Sequence, residues 1–579
     1  MKDLLLPGHR YKKFSTGNVG TIAGGDAVGN AKLVSAEMRR FHEEHYRPEN
    51  MALCLCGPQD LLELRRLATE MFDDIRSFDG GQCGGVAVAS SPRVGAQAHS
   101  SSSVSVSDSF PFKEGGLLVR LRPIKDLRSL SVVWSVPPTR SLYKNDPTLL
   151  LGYLLSHKGK GSLFSQLQSR GLVTSLDASE STQFEDFSLF EVTLGLTQKG
   201  LANYQQALTL VYEHIAAVQR ADDNQLQTYW AELRDILFLK FKYLSKSSPY
   251  ELTQSASKDM LFYGVADAFS AGWLLDEQLD VHSFRDYARL LSIGRSINLL
   301  KAREFEQWLP GDGAVTAGDV VEGRIPLREA PNRLEPWYGV PYHAEPISLS
   351  LPPPTDATLP PPNEYVSDEL VRELRAAEQE SGSASSTPAA AARVRSSPPM
   401  PVSSAGHHDV AFSSADEVFK QPKSIVYCLV HAPSTDNLHP VYSLLGSLFD
   451  QLTVSKYYSA GVAGLQHGVS VSSRGISSYV AGFSSADTNS SKLGLLLQSV
   501  LRDFTDPQLW AQPLGEQSEL LADVKERLVR GLRGWSKERP DSQCDAIVSY
   551  VLSERGYLPA VRLRQAEEVL HLHRSSPQT

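Results

Sequence analysis

A proline and a glycine recur at the same separation in two distant parts of this chain. Gly171 follows Pro147 by 24 residues, and Gly464 follows Pro440 by 24. Each glycine directly precedes an apolar residue, Leu172 or Leu465. The flanking patterns repeat too. Leu130, Val132, Trp134 and Val136 alternate with Ser131 and Ser135, the period-two signature of a strand with one partly apolar outer face. Pro137-Pro138 ends that run, and Pro147 opens a helix to Leu155, as proline does in a first turn. Val192, Leu194 and Leu196 mark a second strand. Downstream, Ile425–Val430 is an apolar strand run and Pro440 opens the helix Val441–Leu452. Strand patterns follow at Val469–Ser473 and Tyr479–Phe483. The matched order and spacing predict a duplicated α+β unit.

Helical periodicity extends over Ala202–Gln219, Asn224–Leu244, Leu493–Phe504 and Pro513–Leu532. Residues 32–75 read as helix, strand, helix. The apolar run Met51–Cys56, closed by Gly57-Pro58, predicts a buried strand. Leu61, Leu64, Ala68, Met71, Phe72 and Ile75 then recur at helical spacing. Two stretches break this order, rich in small residues that bury little side-chain surface: residues 79–108 read as a low-complexity insertion and residues 378–409 as a disordered one. At 579 residues, the chain has room for about three or four domains.

A net charge of −9 argues against a nucleic-acid partner and leaves peptides or proteins. No apolar run reaches the roughly 20 residues of a membrane span. The apolar stretch in Met1–Pro7 is too short for a signal peptide. The five cysteines (Cys54, Cys56, Cys83, Cys428 and Cys544) contain no CxxC pair. Cys54-x-Cys56 lies in an apolar run and reads as buried free thiols. The expected setting is a reducing compartment, the cytoplasm.

The ordered segments KFSTGN (Lys13–Asn18), FHEEHYRPENMALCLCG (Phe41–Gly57), PIKDLRSL (Pro123–Leu130), LGYLLSHKGKGSLFSQLQSRG (Leu151–Gly171), EPWYGVPYHAEPI (Glu335–Ile347), LPPPNEY (Leu359–Tyr365), VFKQPK (Val418–Lys423) and YYSAGVAGL (Tyr457–Leu465) carry a family likeness. Together they resemble the insulinase (pitrilysin-like, M16) zinc metallopeptidases, most closely the insulin-degrading type. The resemblance implies repeated two-layer α+β domains, with antiparallel-rich sheets and helices on one face, built into halves that enclose a chamber. By it, residues 1–110 are the C-terminal remnant of a catalytic-type first domain. Residues 111–350 are a second, non-catalytic domain. Residues 351–579 are a linker and most of a third.

The family's zinc site needs H-x-x-E-H, in which two histidines one helical turn apart share a metal and a glutamate serves as base. In the family that motif lies upstream of the KFSTGN block, which here begins at residue 13. His42-Glu43-Glu44-His45 only imitates it: the histidines are three apart, and Tyr46 stands where H-E-x-x-H has its second histidine. Zinc belongs to the complete family enzyme. The expectation for this chain is no metal, no catalytic residue and no peptidase activity of its own.

What the resemblance leaves is a docking wall, where the N-terminal end of a peptide adds to a strand edge. The matching positions are Ser156, His157, Lys158 and Gly159 with Leu176, Asp177, Ala178, Ser179 and Glu180. The family's glycine pair is replaced by Ala178 and Ser179, and Lys158 stands where the family has an acid. Asp177 and Glu180 remain to attract an α-amino group. The bland reading is a solvated edge protected by charges. Trp337 and Tyr338 read as packing residues. Three descriptions fit: a segment of a peptide-hydrolysing chamber, a non-catalytic subunit beside a complementary chain or a second copy, and a peptide-holding module.

Overall fold

The computed structural model describes residues 1–75 (except 25 and 27), 110–307 (except 126 and 246), 331–349, 358–381, 400–413 (except 407 and 408), 422–431, 439–483 (except 473 and 474), 492–511, 519–552 and 559–571. The chain forms two compact units, Met1–Leu237 with Leu244–Pro362, and Phe238–Tyr243 with Asn363–Thr579.

The first unit is built on seven strands. They are β1 (Leu117–Leu121), β2 (Arg128–Val136), β3 (Val173–Gln183), β4 (Ser188–Leu196), β5 (Ile297–Ala302), β6 (Arg333–Leu334) and β7 (Pro341–Pro346). Their order in the sheet is β3-β4-β2-β5-β1-β7-β6, antiparallel except for the β1–β5 pair. The apolar alternation of β2 explains its place. Leu130, Val132 and Trp134 are fully buried on one face, where the Trp134 ring meets Tyr212 of the helix Tyr204–Arg220 edge-on at 6.2 Å. Trp134 Nε1 donates to Ser292 O at 2.9 Å, so the indole's one polar group is satisfied. Val133 faces the other way, into a cluster with Leu117, Val119, Ile297 and Phe187 that Leu4 and Leu5 of the N-terminal segment cover. Ser131 and Ser135, which alternate with Leu130, Val132 and Trp134, are buried as well. Ser131 Oγ lies 3.1 Å from Thr193 Oγ1 on the neighbouring strand, which gives the buried serine a hydrogen-bond partner.

The second unit carries β8 (Met400–Gly406) and β9 (Asp409–Ser413) as a two-stranded sheet, and β10 (Lys423–His431), β11 (Gln466–Ser472) and β12 (Gly475–Phe483) in the order β10-β12-β11, all antiparallel. The helix His439–Val462 packs on β11, and Lys492–Thr505 packs on β12. The two helices are tied where Tyr457 Oη donates to Asp503 Oδ2 at 2.6 Å and Lys456 Nζ meets Asp503 Oδ1 at 2.7 Å. The predicted repeat is visible in each unit. Pro147–Leu155 leads to Gly171 at φ +67° and then β3, while His439–Val462 leads to Gly464 at φ +87° and then β11. A left-handed glycine ends each connection because a side chain there would be strained.

Three expectations change. Met51–Cys56 is extended but joins no described strand, and Met51, Leu53 and Leu55 are exposed. Without a neighbour to take its backbone bonds, an apolar run does not become a buried strand. Cys54 is accordingly half-buried and Cys56 exposed, both free. The stretch 378–409, read as a disordered insertion, begins within the helix Asp368–Ser381 and ends in β8 and β9. Small polar residues can still pair through their backbones, and this ladder carries two register shifts. Residues 382–399 and the whole of 79–108, which includes Cys83, lie outside the described residues.

Candidate functional site: the outer edge of β3

β3 is an edge strand of eleven residues, paired with β4 on one side. Among the described residues nothing pairs with its other side. Leu176 and Ala178 are buried, whereas Asp177 and Ser179 are exposed, as the two-residue period requires. The buried face rests on the helix Pro147–Leu155. Gly152 lets that helix approach closely: a Cβ there would stand 2.8 Å from Ala178 O. A backbone oxygen cannot yield as a side-chain tip can, so glycine sets the distance between helix and strand.

The helix start supplies a carboxylate that the sequence reading passed over. Asp146 caps it, with Oδ1 accepting from Thr148 N and Thr148 Oγ1 at 2.8 Å each. Burial, with the charge of Glu180 as a further contribution, pushes the Asp146 carboxyl up to about 6. Its signal was present in the sequence as Asp-Pro, a cap residue followed by proline at the first helical position.

Asp177 and Glu180 do not act as a pair. They are three residues apart on a strand, so their side chains leave opposite faces. Asp177 Oδ2 accepts from Ser179 Oγ at 3.1 Å on the exposed face. Glu180 turns to the helix side, where Thr139 Oγ1 donates to Oε1 and Gln183 Nε2 donates to Oε2, both at 2.5 Å. A register shift between Glu180 and Thr182 bends the strand there. Sequence reasoning missed Thr139 and Gln183, which have no motif of their own.

The loop after the helix is scaffold. Ser156 N donates to Gly152 O at 2.9 Å and closes the helix. His157 is buried, and its Nδ1 accepts from Gly159 N at 3.0 Å. Burial holds the His157 imidazole down to about 4, so it stays neutral at physiological pH. Gly159 is buried against that ring, where a Cβ would come within 2.5 Å of His157 Cε1. The Lys158 ammonium sits 5.7 Å from the centre of the Phe164 ring, a cation–π distance. Of the nine expected docking positions, Asp177 and Ser179 present exposed side chains beside the free edge. Leu176, Ala178 and His157 instead support it from the interior.

The aromatic block has a different job. Trp337 Nε1 donates to Lys12 O at 3.0 Å, and Tyr338 Oη donates to Thr16 O at 3.1 Å. Phe14 meets the Trp337 ring edge-on at 5.3 Å. Glu335 accepts from Trp337 N and Tyr338 N, and Gly339 at φ +64° completes the turn. The segments WYG and KFSTGN are thus structural partners.

The described residues do not offer zinc a ligand set. No group of three or more His, Cys, Asp and Glu among them is arranged to hold a metal ion. His42 stacks on Tyr46 at 4.7 Å and His45 packs on Phe41 at 4.4 Å, so both rings take part in aromatic contacts.

Comparison with known proteins gives a consistent result. Residues 32–230 match the family described as the peptidase M16 inactive domain, and residues 241–565 match the middle or third domain of peptidase M16. Insulin-degrading enzyme-like 1, peroxisomal, of Arabidopsis thaliana is 26% identical over 569 residues, covering 96% of this chain and 50% of that protein. The A-factor-processing enzyme of Saccharomyces cerevisiae is 25% identical over 587 residues, covering 98% of this chain and 49% of that protein. The chain spans about half the length of these curated relatives. The crystal structure of pitrilysin shares the fold, with a TM-score of 0.53 at 16% identity over 99% of this chain and 54% of that one.

Proposed function

Because the chain belongs to the M16 peptidase family, we propose that it is the non-catalytic wall of a peptide-hydrolysing chamber of the insulin-degrading type, and that it docks peptide substrates along the outer edge of β3. In this reading zinc and its ligands come from sequence other than its own. The domain limits near residues 110 and 350 are part of the same proposal. So are a complementary M16-type chain or a second copy as partner, and a reducing, cytoplasmic setting that suits free cysteines.

The observation that carries the proposal is the state of β3. It is long, unpaired on its outer side among the described residues, polar on its exposed face and backed at close range by a helix. An extended peptide satisfies such an edge with its own backbone groups and so needs little sequence specificity. Relatives named for degrading insulin and for processing A-factor fit a peptide as the ligand class. Asp177, exposed beside the edge, favours the positive α-amino end of a peptide.

The test is fluorescence anisotropy with an unstructured labelled peptide. Binding is expected for the parent chain and is weakened roughly threefold to tenfold by N-acetylation of the peptide or by Asp177→Lys, the effect of about one exposed ion pair. Binding that ignores both changes removes Asp177 from the proposal, and no binding at all removes the docking role.

A further inference from the structure

β3 is eleven residues long, but its ladder with β4 is regular over only part of that length. Residues 175–180 pair one for one with residues 195–190, six consecutive pairs. At either end one residue of β3 has no counterpart. Val173 pairs with Leu196 and Ser175 with Gly195, which leaves Thr174 over. Glu180 pairs with Phe190 and Thr182 with Leu189, which leaves Ser181 over. Both irregularities are therefore bulges on β3 itself. Each bends the strand and interrupts the row of backbone groups along its edge.

Both bulges are fastened by side chains. Thr174 Oγ1 donates to Gly195 O at 3.3 Å, and Ser181 Oγ donates to Leu189 O at 3.4 Å, so each extra residue is held to β4 by its hydroxyl. Across the second bulge, Gln183 Nε2 reaches back to Glu180 Oε2 and also donates to Thr139 Oγ1 at 3.1 Å, while Thr139 Oγ1 donates to Glu180 Oε1. Before the first bulge, Thr197 Oγ1 donates to Gly171 O at 2.7 Å and Thr197 N to Leu172 O at 3.1 Å, which ties the chain entering β3 to the end of β4. These bonds oppose any straightening of β3 when a ligand arrives. Between the bulges the strand is backed by the helix Pro147–Leu155, at the distance Gly152 sets.

An added strand bonds only to backbone groups that point outward at a regular two-residue repeat. A bulge puts those groups out of step, so a straight peptide running past Thr174 or Ser181 meets no partner in register. We propose that the docking edge of β3 is a window of fixed length, residues 175–180, which takes at most six extended residues of a peptide however long that peptide is. This window rests on the docking of peptides at β3 proposed above. The ligand class it selects is an extended stretch of about 20 Å that is free of proline, because a proline there withholds an N–H from the ladder.

Residue-resolved hydrogen exchange of the full chain, with and without a saturating unstructured peptide of twelve residues, tests the limit on the parent protein. Slower exchange is expected within residues 175–180 and unchanged exchange at Thr174 and at residues 181–183. A second measurement removes a bulge. Deletion of Ser181 brings Glu180 and Thr182 opposite the consecutive residues Phe190 and Leu189 and lengthens the window. By fluorescence anisotropy, the advantage of a ten-residue peptide over a six-residue one should then grow by about threefold or more relative to the parent, the effect of about one further backbone hydrogen bond. Protection that runs equally through residues 181–183 of the parent overturns the window while leaving docking in place. So does an unchanged advantage in a Ser181 deletion that keeps the parent's circular-dichroism spectrum. Binding without protection anywhere in β3 overturns the docking itself, and the window with it.

Discussion

At the scale of single residues, the neighbourhood of β3 holds two buried titratable groups that pull stability in opposite directions. Asp146 has its carboxyl raised to about 6 by burial. Its contribution is complete below the unfolded carboxyl range near 4 and is lost as pH rises through about 6. His157, lowered to about 4, contributes fully above its unfolded value near 6.5 and loses that contribution as pH falls through about 4. The two effects oppose each other between about pH 4 and 6.5. Asp146→Asn keeps the helix cap and leaves His157 unopposed, so this variant should lose stability more steeply than the parent on going from pH 6.5 to 4.5. His157→Asn should show the reverse. Each difference should be on the order of 1–2 kcal/mol, less than the full shifts because Asp146 retains some solvent contact. Urea unfolding at the two pH values reads it directly. A common slope for both variants and the parent would exclude this assignment. The residue scale is also where the sequence was least legible. Asp177 and Glu180 look like a pair on the page, yet strand parity separates them. Asp146 is distant from Glu180 in sequence, and only the packing of helix on strand brings their charges into interaction.

At the scale of elements, the local patterns were readable wherever each element's burial is decided nearby. β2, β4, the helix Pro147–Leu155 and the glycine turns at Gly171 and Gly464 follow from periodicity, proline and glycine. Met51–Cys56 shows why others were not. Its apolarity is local, but a strand also needs a ladder partner, which a pattern of side chains does not specify. The aromatic block was legible as packing, and the structure supplies its counterpart, the segment Lys12–Thr16. Trp337→Ala removes one hydrogen bond and one edge-on ring contact. It is expected to cost about 1–2 kcal/mol and to speed hydrogen exchange in residues 10–18 without changing exchange in β2. If β2 exchange rises equally, the block belongs to the global core and is not a local clasp.

At the scale of the whole molecule, the repeat and the ordered family segments made the architecture readable before any coordinates, because domain duplication leaves both a spacing and an order in the chain. Function is less legible at this scale. Membership of a peptidase family says what chemistry the fold hosts elsewhere, whereas activity resides in particular side chains. The described residues of this chain bring together a strand edge and its supporting helix, an arrangement suited to holding a peptide backbone. Hydrogen exchange followed by mass spectrometry, with and without a saturating unstructured peptide that has a free α-amino group, tests that account most directly. Slower exchange concentrated in Val173–Gln183, and diminished in Asp177→Lys, is the predicted result. A bound peptide that leaves β3 exchanging as before, or that protects a different segment, would contradict it.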